Sequence, residues 1–197
     1  MFFEGKNVLL IVTGGISVYK SVYFLRLLQR KKANVRVAMT KAALRFMSPL
    51  IFSALSKYPV LKDIFQNNGE IEHIKWAHWP QFIFVVPATA NFIAKVAHGI
   101  ADDAPTSTIL ASEAPKVIAP AMNNIMWENP ATQRNLKRLE KDSILIILPT
   151  KGFLAEGNRA YGRLPDPQEI LEESQIRLKG REGNLKNQKI LISAGGD

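Results

Sequence analysis

The sequence predicts a doubly wound (Rossmann/flavodoxin-like) α/β fold, with a mostly parallel sheet in a single domain. Two observations predict it. Short runs that are apolar at nearly every position, such as Asn7–Thr13 (NVLLIVT), have the pattern of strands buried on both faces. These runs alternate with longer segments of helical period, and strand–helix alternation implies right-handed crossovers with helices on both faces of a parallel sheet.

The elements follow in order. Asn7–Thr13 is the first strand. Ser17–Lys32 is a helix, because Val18, Val22, Leu25 and Leu28 fall on one side. Asn34–Thr40 is the second strand and Ser48–Ser56 a helical zone. Gln81–Pro87 (QFIFVVP) is a third buried strand, followed by a helix over Thr89–His98. Lys116–Ala119 is a short strand. Pro130–Lys141 is a helix opened by proline, Ser143–Leu148 a strand, and Pro167–Leu178 a second proline-opened helix. Lys179–Gln188 (KGREGNLKNQ) is polar and linker-like, and Lys189–Ser193 (KILIS) begins a new strand. The expected organisation is a domain over 1–178, a linker over 179–188 and the first strand of a further, absent domain over 189–197.

Composition narrows the function classes. The chain has 197 residues, 26 basic and 17 acidic side chains, a net charge of +9 and no cysteine. The missing cysteines exclude a disulfide scaffold, a cysteine-ligated metal site and a cysteine nucleophile. The positive charge is spread out. Its longest run, Arg30-Lys31-Lys32, reads as a helix C-terminus, where cations are favoured. A nucleic-acid partner is therefore not expected. No apolar run approaches the ~18 residues of a membrane span, and the N-terminus lacks the features of a signal peptide, so the expected location is cytoplasmic. His73 and His78 are five residues apart, which does not place two metal ligands on one helical face, and no metal is expected. His98 reads as a helix end.

Ligands of doubly wound folds bind at the carboxyl ends of the strands. Gly14-Gly15-Ile16-Ser17 follows the first strand: it is either a cradle for a phosphate or a flavin edge, or a plain tight turn capped by Ser17. Thr40, Lys41 and Ala42 end the second strand, and Thr40 is either a phosphate ligand or an N-cap. Thr89, Ala90 and Asn91 end the third, where small residues admit a flat ring and polar ones hydrogen-bond it; a capped helix start explains them equally. Ala121, Met122 and Asn123 end the fourth, inside PAMNNIMWENP, and Asn123 is suited to a carboxylate or an amide.

Taken together, GGISVYK, MTKAA, EHI, PATAN and PAMNNIMWENP resemble the homo-oligomeric flavin-containing cysteine decarboxylases, from about Lys6 to Pro167. The resemblance is to the phosphopantothenoylcysteine-decarboxylating branch, which in bacteria is often joined to a phosphopantothenate–cysteine ligase. KILISAGG is similar to the opening of that ligase. The resemblance implies bound FMN and a homo-oligomer, a trimer or a dodecamer built from trimers, with active sites at subunit contacts. By position it makes His73 the catalytic acid–base and Asn123 the holder of the substrate carboxylate. It assigns Gly15, Ile16, Ser17, Thr40, Lys41, Ala42, Thr89, Ala90, Asn91, Ala121 and Met122 to FMN, and Ser107, in DAPTST, to the vicinity of the flavin phosphate. The implied function is FMN-dependent decarboxylation of 4′-phosphopantothenoylcysteine to 4′-phosphopantetheine in coenzyme A biosynthesis.

One segment departs from the pattern. The family's substrate clamp reads ACG, then GRM-x-EP; here the frame is Ala155-Glu156-Gly157, then Gly162-Arg163-Leu164-Pro165-Asp166-Pro167. Glu156 stands where the family has a proton-donating cysteine. Either a carboxylic acid with a raised pKa replaces it, or the last step is lost and the product stays an oxidised enethiol, or Glu156 has no chemical role. Arg163 is expected to bind substrate phosphate or anchor the loop. Competing functions are oxidative decarboxylation of a peptidyl-cysteine or pantothenoylcysteine substrate, and a flavin-binding assembly protein without turnover.

Overall fold

The computed structural model describes residues 2–63, 72–153, 155, 157 and 159–182, and for residues 72, 73, 181 and 182 the backbone alone. The elements run β1 (Asn7–Val12), a 3₁₀ turn (Ile16–Val18) leading into α1 (Tyr19–Arg30), β2 (Asn34–Met39), α2 (Lys41–Phe46), α3 (Pro49–Ser56), α4 (Glu72–His78) and β3 (Phe82–Ala88). They continue as α5 (Ala90–Ala97), α6 (Ala104–Ala111), β4 (Lys116–Pro120), α7 (Asn124–Glu128), α8 (Pro130–Lys141), β5 (Leu145–Ile146), β6 (Thr150–Phe153), β7 (Arg159–Arg163) and α9 (Pro167–Glu182).

Five strands form one sheet in the order β2-β1-β3-β4-β5, and all their pairings are parallel. The predicted doubly wound fold is the observed one. Period-2 alternation sorts each strand between two cores. Val8, Leu10 and Val12 of β1, with Phe82, Phe84 and Val86 of β3, face one layer that includes Phe24 and Leu28 of α1, Phe52 of α3 and Ile170 of α9. Leu9 and Ile11, with Ile83 and Val85, face the other, which includes Trp76 of α4, Phe92 of α5, Ile109 of α6 and Leu136 of α8. Burial on both faces is why these strands are continuous apolar runs.

Four short helices and a hairpin are additional to the predicted elements. In α6, Ala104 through Ile109 are all buried, and three of those residues are Thr106, Ser107 and Thr108. A helix buried all round with hydroxyl side chains leaves no amphipathic period to detect. Its start is fixed by a capping box, with Asp103 accepting from the Thr106 amide at 2.8 Å. β5 is shorter than the predicted Ser143–Leu148, since it pairs only with β4 and the chain then turns away, leaving Leu148 exposed. α9 runs to Glu182, past the predicted end at Leu178, so the first residues of the expected linker are helical. Lys179 there sits over the Phe2 ring at 5.8 Å. The 189–197 strand lies outside the described residues. The basic run ends α1 as expected, and His98 caps the C-terminus of α5. Among the described residues no helix is long and apolar enough to cross a membrane.

The β2 edge is closed by an aromatic cage. The Arg36 guanidinium lies 5.2 Å from the Tyr58 ring centre, 5.5 Å from Trp76 and 4.3 Å from Trp79. It thereby joins the strand to the chain after α3 and to α4. A cation over an aromatic face contributes about 0.5–2 kcal/mol. At this chain length, Arg36→Ala is therefore expected to lower the melting temperature by about 1–8 °C. Arg36→Lys is expected to recover part of the loss. Thermal unfolding followed by circular dichroism measures both.

Candidate functional site

The strand order reverses between β1 and β3: the chain leaves β1 for β2 on one side and returns to β3 on the other. A crevice opens at the carboxyl ends of strands placed this way. Thr13, buried just past β1, ties its two walls. Its hydroxyl donates to the Pro87 carbonyl at 2.8 Å and accepts from the Thr89 amide at 3.0 Å.

The two glycines after β1 serve different ends. A Cβ on Gly14 would lie 2.5 Å from the backbone carbonyl carbon of Ala42, so the turn and the start of α2 touch. Gly15 is extended, with φ −161° and ψ 164°. A Cβ there would find its nearest neighbour, the Thr89 methyl, at 3.8 Å. The fold needs glycine at the first position and leaves room for a side chain at the second.

Two adjoining cavities fill the crevice. The larger, about 520 Å³, is walled by the turn after β1, the starts of α5 and α7 and the β6–β7 hairpin. Gly15, Ile16, Ser17, Ala42, Thr89 and Ala90 line it. So do Asn91, Ala121, Met122, Asn123 and Arg163. The smaller, about 240 Å³, shares Gly14, Ala42, Thr89 and Asn91 with it and adds Thr40, Lys41, Lys95, Asp102 and Asp103. Most residues singled out in the sequence thus converge on one crevice. Ser107 lines neither cavity; its hydroxyl donates to the Ala101 carbonyl at 3.3 Å. The side chain of His73, whose backbone belongs to α4, lies outside the described residues, as does Glu156. Ala155, next to Glu156, lines the larger cavity.

Capping and cavity lining coincide. Thr40 caps α2 by accepting from the Ala43 amide at 3.2 Å, and Thr89 caps α5 by accepting from Phe92 at 3.3 Å. Asn123 caps α7 through Oδ1, which accepts from the Ile125 amide at 2.8 Å. The cap reading and the ligand reading of these residues are therefore compatible, because a cap uses only a side-chain oxygen lone pair.

The larger cavity contains two cationic side chains, Lys20 and Arg163, and no acidic one among the described lining residues. That favours an anionic ligand. The sequence analysis gave no individual role to Lys20, Tyr19, Met126, Phe153 or Leu164; a lone lysine in a helix reads as a solvent-facing charge. It is instead buried, donating to the Leu164 carbonyl at 2.8 Å and the Pro165 carbonyl at 3.2 Å. Burial, and next the neighbouring Arg163, push its pKa below the usual lysine value, against the opposing pull of Asp166 and Glu169. In the smaller cavity Lys95 pairs with Asp102 at 2.8 Å, which holds that carboxyl below its usual range.

The volume lies within the range of small-molecule sites. Glycine and alanine at 15, 42, 90 and 121 admit a flat ring, and Ile16, Tyr19, Met126 and Phe153 give the wall an apolar rim. These features fit a flavin.

A family model described as Flavoprotein matches residues 3–179. The chain is 45% identical over 195 residues to the coenzyme A biosynthesis bifunctional protein CoaBC of Bacillus subtilis (strain 168), covering 98% of this chain and 48% of that protein. The chain spans about half the length of the curated relatives it matches. Among solved structures, a cysteine-to-serine variant of PPC decarboxylase complexed with pantothenoylaminoethenethiol superposes with a TM-score of 0.78 at 27% identity, over 89% of this chain and 100% of the other. The FMN-dependent cysteine decarboxylase SpaF gives a TM-score of 0.78 at 33% identity, over 91% and 99%.

The two glycines are separable by experiment. Gly14→Ala is expected to cost about 1–3 kcal/mol, as overpacking does. Gly15→Ala is expected to stay within about 0.5 kcal/mol of the parent. Urea denaturation of both variants checks this.

Proposed function

The chain belongs to the flavoprotein family, and on that premise we propose that it binds FMN in the joined cavities and decarboxylates 4′-phosphopantothenoylcysteine to 4′-phosphopantetheine, a step of coenzyme A biosynthesis. The observation that carries this reading is the convergence of four strand-end turns on one cavity of about 520 Å³ lined by small residues. Relatives named for coenzyme A biosynthesis and structures named as PPC and FMN-dependent cysteine decarboxylases support it.

Bound FMN supplies the two-electron oxidation of the substrate thiol, which creates an electron sink beside the carboxylate, and later returns those electrons. The protein does the rest. Gly15 and the alanines admit the ring, and Thr40 and Lys41 hold the phosphate end in the smaller cavity. Asn123 holds the substrate carboxylate. Its Oδ1 caps α7, which holds the side chain at the cavity wall. A neutral donor also avoids a salt bridge that would stabilise the carboxylate more than the transition state in which it departs as CO2. His73 is the acid–base group, a role for which imidazole is the commonest side chain. Glu156 gives a proton to the enethiolate carbon, so that reduction completes and the net change is replacement of CO2 by a proton.

α4 packs on α6, and none of its described residues lines either cavity. The proposal therefore places His73 at the cavity of a neighbouring copy. Exposed Ile125, Met126, Phe153 and Tyr161 provide an apolar surface for that contact. A homo-oligomer built on trimers, a cytoplasmic location and a phosphopantothenate–cysteine ligase partner belong to the same reading; the curated relatives are bifunctional.

Purified protein is expected to be yellow and to release FMN on denaturation. Incubated anaerobically with phosphopantothenoylcysteine, it is expected to give a product that has lost CO2 alone, by mass spectrometry. Loss of CO2 with two further hydrogens and stoichiometric flavin reduction would show that Glu156 does not complete the cycle. A colourless protein that takes up no flavin would overturn the reading. His73→Asn is expected to reduce turnover by about 10²–10⁴-fold, the usual range for an acid–base group. Light scattering coupled to gel filtration is expected to show a trimer or a multiple of it; a fully active monomer would refute the shared site.

A further inference from the structure

We propose that Lys20 is a positioning residue: its ammonium fastens the exit of the β6–β7 hairpin to α1 and so sets where Arg163 and the hairpin sit over the cavity. The effect on substrate rests on the decarboxylase reading above; the anchoring itself does not.

The hairpin forms a sheet of its own, and its strands pair only with each other. A lone two-stranded hairpin is marginal in water. Its place is therefore decided by what attaches it to the main domain. Two clasps do so. The Met122 amide donates to the Gly162 carbonyl at 3.0 Å. Gly162 has φ +129°, and a Cβ there would collide with the Met122 carbonyl oxygen, so the strand lies flush on the loop after β4. The second clasp is Lys20, whose Nζ donates to the consecutive carbonyls of Leu164 and Pro165.

Local chemistry explains why an ammonium is needed. The exit reads Leu164-Pro165-Asp166-Pro167, and both prolines lack an N–H, so this stretch is poor in backbone donors. Leu164 and Pro165 are buried, and buried carbonyls require a partner. One residue with several donors serves both. Lys20 is 8% exposed, an uncommon state for lysine unless it is well paired. An apolar residue would fill the same space without the burial cost of a charge, so the ammonium is there for its hydrogen bonds.

The anchor reaches the cavity through Arg163. A Cβ on Gly152 would lie 2.5 Å from Arg163 Cδ, so the arginine runs across the opposite strand of the hairpin. Gly162, Arg163 and Leu164 on one strand, and Phe153 and Ala155 on the other side, all line the cavity. A hairpin released at Leu164–Pro165 would take this wall with it.

The test uses the full chain as purified, with its bound flavin. In Lys20→Met, amides of residues 151–153 and 160–163 are expected to exchange about tenfold faster than in the parent, the scale of one charge-assisted hydrogen bond. Amides of β1 and β3 are expected to be unchanged. Flavin content should stay the same, and KM for phosphopantothenoylcysteine should rise about tenfold while kcat changes by less than about threefold. Lys20→Arg, whose fork can serve two carbonyls, should restore both readouts. Unchanged hairpin exchange would refute the anchor. So would a loss of flavin with the hairpin still protected, which would make Lys20 a direct ligand. If Lys20→Met does not fold, Lys20→Gln keeps one donor group and should show intermediate exchange; parent-like exchange there overturns the proposal. A parent chain that binds flavin but does not turn over would defeat the decarboxylase reading, and the exchange experiment would still decide the anchor.

Discussion

The contact between the end of β1 and the end of β3 is the constraint on which the rest depends. In a sheet wound in both directions the connections leaving two neighbouring strands must diverge, and here those leaving β1 and β3 do. Thr13 spans the gap with one hydroxyl, using its proton on Pro87 and a lone pair on Thr89. That single side chain sets the relative height of the Gly14–Gly15 turn and the start of α5. The cavity floor follows from it, because both segments contribute lining residues. Gly14 extends the constraint sideways: its missing Cβ lets α2 approach, and α2 brings Thr40 and Lys41 to the smaller cavity.

Two inward-reaching lysines are held by backbone carbonyls. Lys20 and Lys116 each donate to two main-chain carbonyls, Lys116 to Ser112 at 2.6 Å and Ala114 at 3.1 Å. Burial lowers the pKa of both. Carbonyl partners hold a cation without neutralising it. At Lys20 this leaves the positive charge of the ammonium in place at the cavity wall. A carboxylate partner inside the cavity would have cancelled that field.

The sheet and its carboxyl-end turns were legible in the sequence because they obey periodic rules. Continuous apolar runs marked β1 and β3, shorter runs marked β2 and β4, and the proline-opened helices α8 and α9 began at Pro130 and Pro167 as read. The capping residues Thr40, Thr89 and Asn123 were legible as polar groups at strand ends, and each proves to be both a cap and a cavity residue. What stayed hidden lacks period. α6 buries hydroxyls on every side. β6 and β7 are four and five residues long, mostly exposed, and contain glycine, so they carry no strand signal. Lys20 was hidden for another reason: its partners are main-chain carbonyls some 144 residues away, and backbone acceptors leave no mark in a sequence.

The hairpin's independence of the main sheet explains where this chain can depart from its relatives. Glu156, the departure from the family pattern, falls in the connection between β6 and β7. Those strands add nothing to the five-stranded sheet. A substitution in their connection therefore leaves the pairing of the five-stranded sheet unchanged. The positions that hold the hairpin behave differently: Gly162 is locked by Met122, and Leu164 belongs to the core beneath α1 and α9. The base of the hairpin is bound by the same packing that builds the sheet, while its two strands pair with each other. Lys20 stands at that base, reaching from the packed face of α1 to the exit of the hairpin.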